Sequence, residues 1–126
     1  MTDTAKFKDP NEKIFRAAKP KFLFLSSQSK VSDTLFDLRP NEKGVSFDRA
    51  MGRSDEESCK VVHEKLSGYV ISLKTSQCND IDEVFLTHTP SPQNNYHSEI
   101  FYQTVAQKDI ERAKHMLAEK SIIEPY

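Results

Sequence analysis

The chain has 126 residues, 37% of them hydrophobic and 29% charged, with a formal net charge of −1. That length is one domain's worth, and eight Phe and four Tyr exclude a chain too polar to collapse. The near-zero charge excludes a strongly basic polyanion binder, so nucleic acid is not the expected partner. No apolar stretch is long enough to span a membrane and the first ten residues lack a signal-peptide core, so the expected location is the cytoplasm.

Charge is unevenly spread along the chain. Residues 1–30 carry seven Lys/Arg against three acids, whereas residues 75–107 carry no Lys or Arg and hold Asp80, Asp82, Glu83 and Glu99. Residues 1–20 read as a loosely held basic arm punctuated by Pro10 and Pro20, with at most a helical turn over 11–18. Residues 21–126 read as a single α+β domain.

The apolar run 22–25 predicts a first strand, ended by polar residues. Residues 33–38 are ambiguous between a helical turn and a strand. Pro40 to Gly44 is turn chemistry, with Gly44 free to take positive φ, and residues 45–47 alternate as a short strand. Ser54 and Glu57 form a capping box, and Cys59, Val62, His63 and Leu66 follow it at helical spacing on one face. Gly68 ends that helix. Strands follow over 69–73 and 84–86, with turn-prone residues at Cys78, Asn79 and Asp80. Residues 89–95 form a Pro- and Asn-rich loop that leads into a last strand over 96–102. A second capping box, Thr104 to Gln107, predicts a closing helix with Ala106, Ile110, Ala113 and Leu117 on its apolar face. Residues 121–126 are a tail or short edge strand. The order predicts a small antiparallel or mixed sheet of four to five strands, with two main helices packed on one face.

The two cysteines, Cys59 and Cys78, form no CxxC pair and lack ligand-spaced His neighbours, so two free thiols are expected and no metal or cofactor site. His63 falls on a helix stripe, where packing explains it. Tyr96 and Tyr102 read as core aromatics. The richest polar segment runs from Arg39 to Arg49. Arg39 and Lys43 have the chemistry to hold an anion, Gly44 the room for close backbone approach, and Ser46 a nucleophilic hydroxyl if a base lies near. His97 can supply that base, and Glu99, two residues on, shares its strand face.

Six segments carry a resemblance. Lys19 to Phe22, Ser32 to Phe36 and Arg39 to Ser46 are similar to the opening segments of a family of small, largely uncharacterised bacterial proteins with an RPxxxGxS-like pattern. Residues 68–73 through Cys78 resemble its central strand, residues 111–118 its closing helix, and Asn94, Asn95, Tyr96, His97 and Ile100 its NPAHxxI-like segment, with Asn95 standing where that pattern has Pro. The resemblance spans residues 19–126 and places Glu42, Ser46 and His97 at polar signature positions. It implies no established reaction.

Two functional classes follow. The first is a small interaction protein, of the immunity, antitoxin or phage-defence kind, that docks a basic partner protein on Asp80, Asp82, Glu83 and Glu99. The second is a small enzyme or a nucleotide- or anion-binding domain built on Arg39, Lys43, Gly44, Ser46 and His97. Small size and the acidic stretch put the first ahead. The two part on geometry, because only the second requires Arg39, Ser46 and His97 to meet in one cleft.

Overall fold

The computed structural model describes residues 7, 9–24, 30–65 and 68–125. Its frame is an antiparallel sheet of six strands: β1 (Lys13–Ala18), β4 (Val45–Arg49), β5 (Tyr69–Lys74), β6 (Val84–His88), β7 (His97–Tyr102) and β8 (Ile122–Ile123). The spatial order is β6-β7-β4-β1-β5-β8. A two-stranded ribbon of β2 (Leu23–Phe24) and β3 (Lys30–Val31) lies apart from it. Three helices complete the domain: α1 (Asp55–Lys65), the single turn α2 (Thr75–Asn79) and α3 (Gln107–Lys120). The fold is therefore α+β, but with more strands than the four to five expected.

Most of the added strands come from segments without an alternating pattern. Residues 13–18, expected in the loose arm, form a central strand in which Ile14 and Phe15 are fully buried on opposite faces. A strand covered on both sides has no polar face to betray it. Ala17 and Ala18 even favour helix, and pairing on both sides overrides that preference. Residues 122–123 are the edge strand, held by the Glu124 N–H donating to Val70 O at 2.8 Å. The expected strand over 22–25 is split: Pro20–Phe22 is a 3-10 turn, Leu23 and Phe24 pair with Val31 and Lys30, and Leu25 lies outside the described residues. The ambiguous segment is a 3-10 turn, Asp33–Phe36.

Both faces of the sheet are covered, which corrects the expectation of helices on one side. Val45, Phe47, Ile71, Leu73 and Ile100 share a face with Ile14 and pack against Ala113 and Leu117 of α3 and against Phe36. Phe15, Ala17 and Val70 alternate to the other face and meet Cys59 and Val62 of α1. Leu66, expected on the same stripe, lies outside the described residues. Cys59 and Cys78 are both buried and free, and they belong to these two separate cores.

The α1 start follows its sequence signal. The Glu57 N–H donates to Ser54 Oγ at 3.1 Å and the Ser54 N–H donates back to Glu57 Oε1 at 3.3 Å. The second box does not form. The Thr104 hydroxyl oxygen accepts the N–H of Ala106 at 3.1 Å, and the helix begins only at Gln107. Gly68 is required where it stands: its φ is +128°, and a Cβ there would sit 2.9 Å from Ala18 O. Among the described residues no helix is long and apolar enough to cross a membrane.

Two outcomes check this packing. Leu117→Ala should lower stability by about 2–5 kcal/mol in denaturant titration, while Val105→Ala on the exposed connection should stay within about 0.5 kcal/mol. Burial pushes the Cys59 thiol up to about 11 and the Cys78 thiol up to about 12. A disulfide-exchange reagent at pH near 8 should therefore leave both untouched in the native protein and titrate both once it is denatured.

Candidate functional site

The ladder between β1 and β4 is short. Ile14 pairs with Arg49 and Phe15 with Asp48, and there it ends, although β1 stays paired to β5 throughout and β4 stays paired to β7 from Val45 to Asp48. Beyond those pairs the strands part. The Arg16 guanidinium spans the gap, Nη1 donating to Ser46 O at 2.6 Å, with its plane beside the Phe47 ring. The opening is a cavity of about 330 Å³, within the size range of small-molecule sites.

Arg39, Ser46 and His97 all line this cavity. Register explains the last two. Ser46 lies opposite Glu99 and Asp48 opposite His97, so Ser46 and His97 are diagonal neighbours on the same face. Ser46 Oγ is 3.2 Å from His97 Nε2, and His97 Nδ1 is 2.9 Å from both Thr89 O and Thr89 Oγ1. A carbonyl only accepts, so the neutral ring carries its proton on Nδ1 and donates it to Thr89 O. Nε2 is left to accept from the Ser46 hydroxyl. The Thr89 N–H donates to His97 O at 3.0 Å, which ties Thr89 to the strand that carries the ring. Asn94 pins the same loop from the other side, its Nδ2 donating to the buried Asp48 at 2.8 Å.

The cavity is cation-rich. Arg16, Lys19, Lys21, Arg39 and Lys65 line it against two carboxylates, Glu42 and Asp48. Asp48 is engaged by Lys65 at 3.3 Å, and Glu42 Oε1 accepts the Arg39 backbone N–H at 2.9 Å. Among the described residues the side chains of Arg16, Lys19, Lys21 and Arg39 form no ion pair. Arg16 Nε is buried without a hydrogen-bond partner among them. Burial first, and then the nearby Arg39 charge, push the Arg16 guanidinium below its ordinary pKa.

The remaining candidates sit elsewhere. Lys43 is exposed and does not line the cavity. Gly44 does not take positive φ; Asn41 does, at 71°. Gly44 is buried, and a Cβ on it would lie 3.0 Å from the Phe101 ring and 3.1 Å from Glu99 Cβ, so packing against β7 requires its smallness. Asp80 and Asp82 are exposed near α2. Glu83 is ion-paired to Arg112 of α3, and Glu99 is mid-strand opposite Ser46. Among the described residues no group of three or more His, Cys, Asp or Glu side chains is placed to hold a metal ion.

Sequence reading missed Arg16 and Thr89. Arg16 lay in the segment read as an arm. Thr89 acts through its carbonyl, which no side-chain pattern marks. No family model, curated protein or solved structure matches the chain.

The tautomer is directly measurable. Long-range ¹H–¹⁵N correlation spectra at alkaline pH should show His97 protonated on Nδ1 and bare at Nε2. A ring protonated on Nε2 would reverse the hydrogen bond to Ser46 and remove the base.

Proposed function

We propose that the chain binds a small anionic molecule in the cleft between β1 and β4. The observation that carries this reading is Arg16, a cation at the cavity that forms no salt bridge among the described residues, with the Glu42 charge acting on it only from a distance, and keeps one N–H buried and unpaired. A buried donor without a partner costs about 1–3 kcal/mol, more when charged. An anion accepting from Arg16 and Arg39 offsets that cost and gains charge-assisted hydrogen bonds, which guanidinium can make in pairs. The excess of positive groups around the cavity, on a chain of net charge −1, favours the same ligand class. The segments that resemble the small bacterial family supply Arg39, Ser46 and His97.

A protein-docking role, of the immunity or phage-defence kind, retains one specific support. Asp80 and Asp82 are exposed on the stretch free of Lys and Arg. It has less behind it than the cleft, since Glu83 already has a cationic partner in Arg112.

The test is thermal unfolding with phosphate, sulfate or citrate against chloride at matched ionic strength. A ligand at 100 times its Kd stabilises by about 2.7 kcal/mol, a Tm rise on the order of 10 °C for a domain of this size. Arg16→Met should abolish the rise whatever it does to the baseline Tm. No rise in the parent protein, or an equal rise in the variant, would sink the reading.

A further inference from the structure

The same cleft holds a serine hydroxyl and an imidazole in hydrogen-bonding contact, and anion binding alone has no use for that pairing. We propose that Ser46 and His97 are a nucleophilic dyad that cleaves esters whose acyl part carries a carboxylate or phosphate group. The charged group is held by Arg16 and Arg39, so the substrate class rests on the anion reading of this cleft.

Three observations support a reactive pair over a structural one. The hydrogen bond runs in the productive direction, from Ser46 Oγ to His97 Nε2 at 3.2 Å, because Thr89 O fixes the proton on Nδ1. Both residues are half-buried and line the cavity, so a substrate carbonyl has access to the oxygen. A second histidine bound to a main-chain carbonyl stands outside the cavity: His63 Nδ1 meets Gly68 O at 3.0 Å, and His63 does not line it. Thr89 is a positioning residue, since its carbonyl orients the ring and meets the Nδ1–H as charge develops there. Being neutral, it stabilises imidazolium less than a carboxylate, so turnover is expected to be modest.

The chemistry balances without a cofactor. Ser46 Oγ attacks the carbonyl carbon as its proton passes to His97 Nε2. The ester C–O bond breaks, and the leaving alkoxide takes that proton from Nε2. Water then adds to the acyl-serine, giving a proton to Nε2 that returns to Ser46 Oγ as the acid departs. Negative charge develops on the carbonyl oxygen in both halves, in a cavity lined by two guanidinium groups. Its apolar lining, which includes Phe15, Phe22, Leu35 and Val62, accommodates a short carbon chain between charge and ester.

The experiment compares the mono-4-nitrophenyl ester of succinic acid with 4-nitrophenyl acetate, alongside phosphate-induced thermal shift. Expected is a kcat/KM at least about tenfold higher for the anionic ester, the worth of one charge-assisted contact. Ser46→Ala and His97→Gln, each checked for a native circular dichroism spectrum, should fall to the buffer rate. Ser46→Ala should still be stabilised by phosphate, and Arg39→Met should bring the ratio of the two esters toward one. Phosphate binding with release no faster than in Ser46→Ala would overturn the dyad and leave the anion site standing. Ser46-dependent release without preference for the anionic ester would overturn the substrate class. Absence of both binding and release would overturn this proposal and the reading beneath it.

Discussion

Past Phe15 and Asp48 the backbone ladder joining β1 to β4 stops, and one guanidinium takes over from the amides. A sheet that opens between two central strands exposes unpaired N–H and C=O groups to its own interior, a cost that ordinary folds avoid by continuous pairing. Here Ser46 O is satisfied by Arg16 Nη1, so the opening persists without orphaning that carbonyl. The consequence is that a charged group is carried to a place where a strand would otherwise have closed the space. Cavity, cation and nucleophile candidate then follow from one interruption, since Ser46 keeps its β7 partner but lies on β4 where pairing to β1 has stopped.

The two helices divide the work of supporting this opening. α1 packs on Phe15, Ala17 and Val70, so it covers the β1–β5 half of one face and leaves the β4–β7 part, where Ser46 and His97 sit, next to the cavity. α3 and the Asp33–Phe36 turn close the other face, with Phe36 stacked on Phe47 at 6.2 Å and Tyr102 Oη donating to Phe36 O at 2.6 Å. The floor is therefore packed where β4 leaves β1. A dyad placed on paired strands keeps its geometry better than one on a free loop, and the Thr89 side of it is tied by backbone and side-chain bonds alike.

What could be read from the residues follows from how local each signal is. The α1 cap was legible because Ser54 and Glu57 satisfy each other within one turn. The second cap looked identical in sequence, but Thr104 found a nearer donor in Ala106. β1 was illegible because its reason for being a strand lies in Arg49 and Leu73, far along the chain, and not in its own pattern. The site was half legible. Ser46 and His97 stood out as residue types, yet their meeting depends on a register between β4 and β7 across 51 positions. Arg16 could not be singled out while its segment passed for an arm. Lys43 lies outside the cavity and Gly44 packs against Phe101, because a turn rich in polar residues does not say which of them face inward.

The uneven charge of the sequence gains a structural meaning from this arrangement. One wall of the cleft comes from the basic opening segment, through Arg16, Lys19 and Lys21, and another from the segment without Lys or Arg, through His97. In this fold the two halves of the charge asymmetry that suggested a docking surface meet as walls of one cavity.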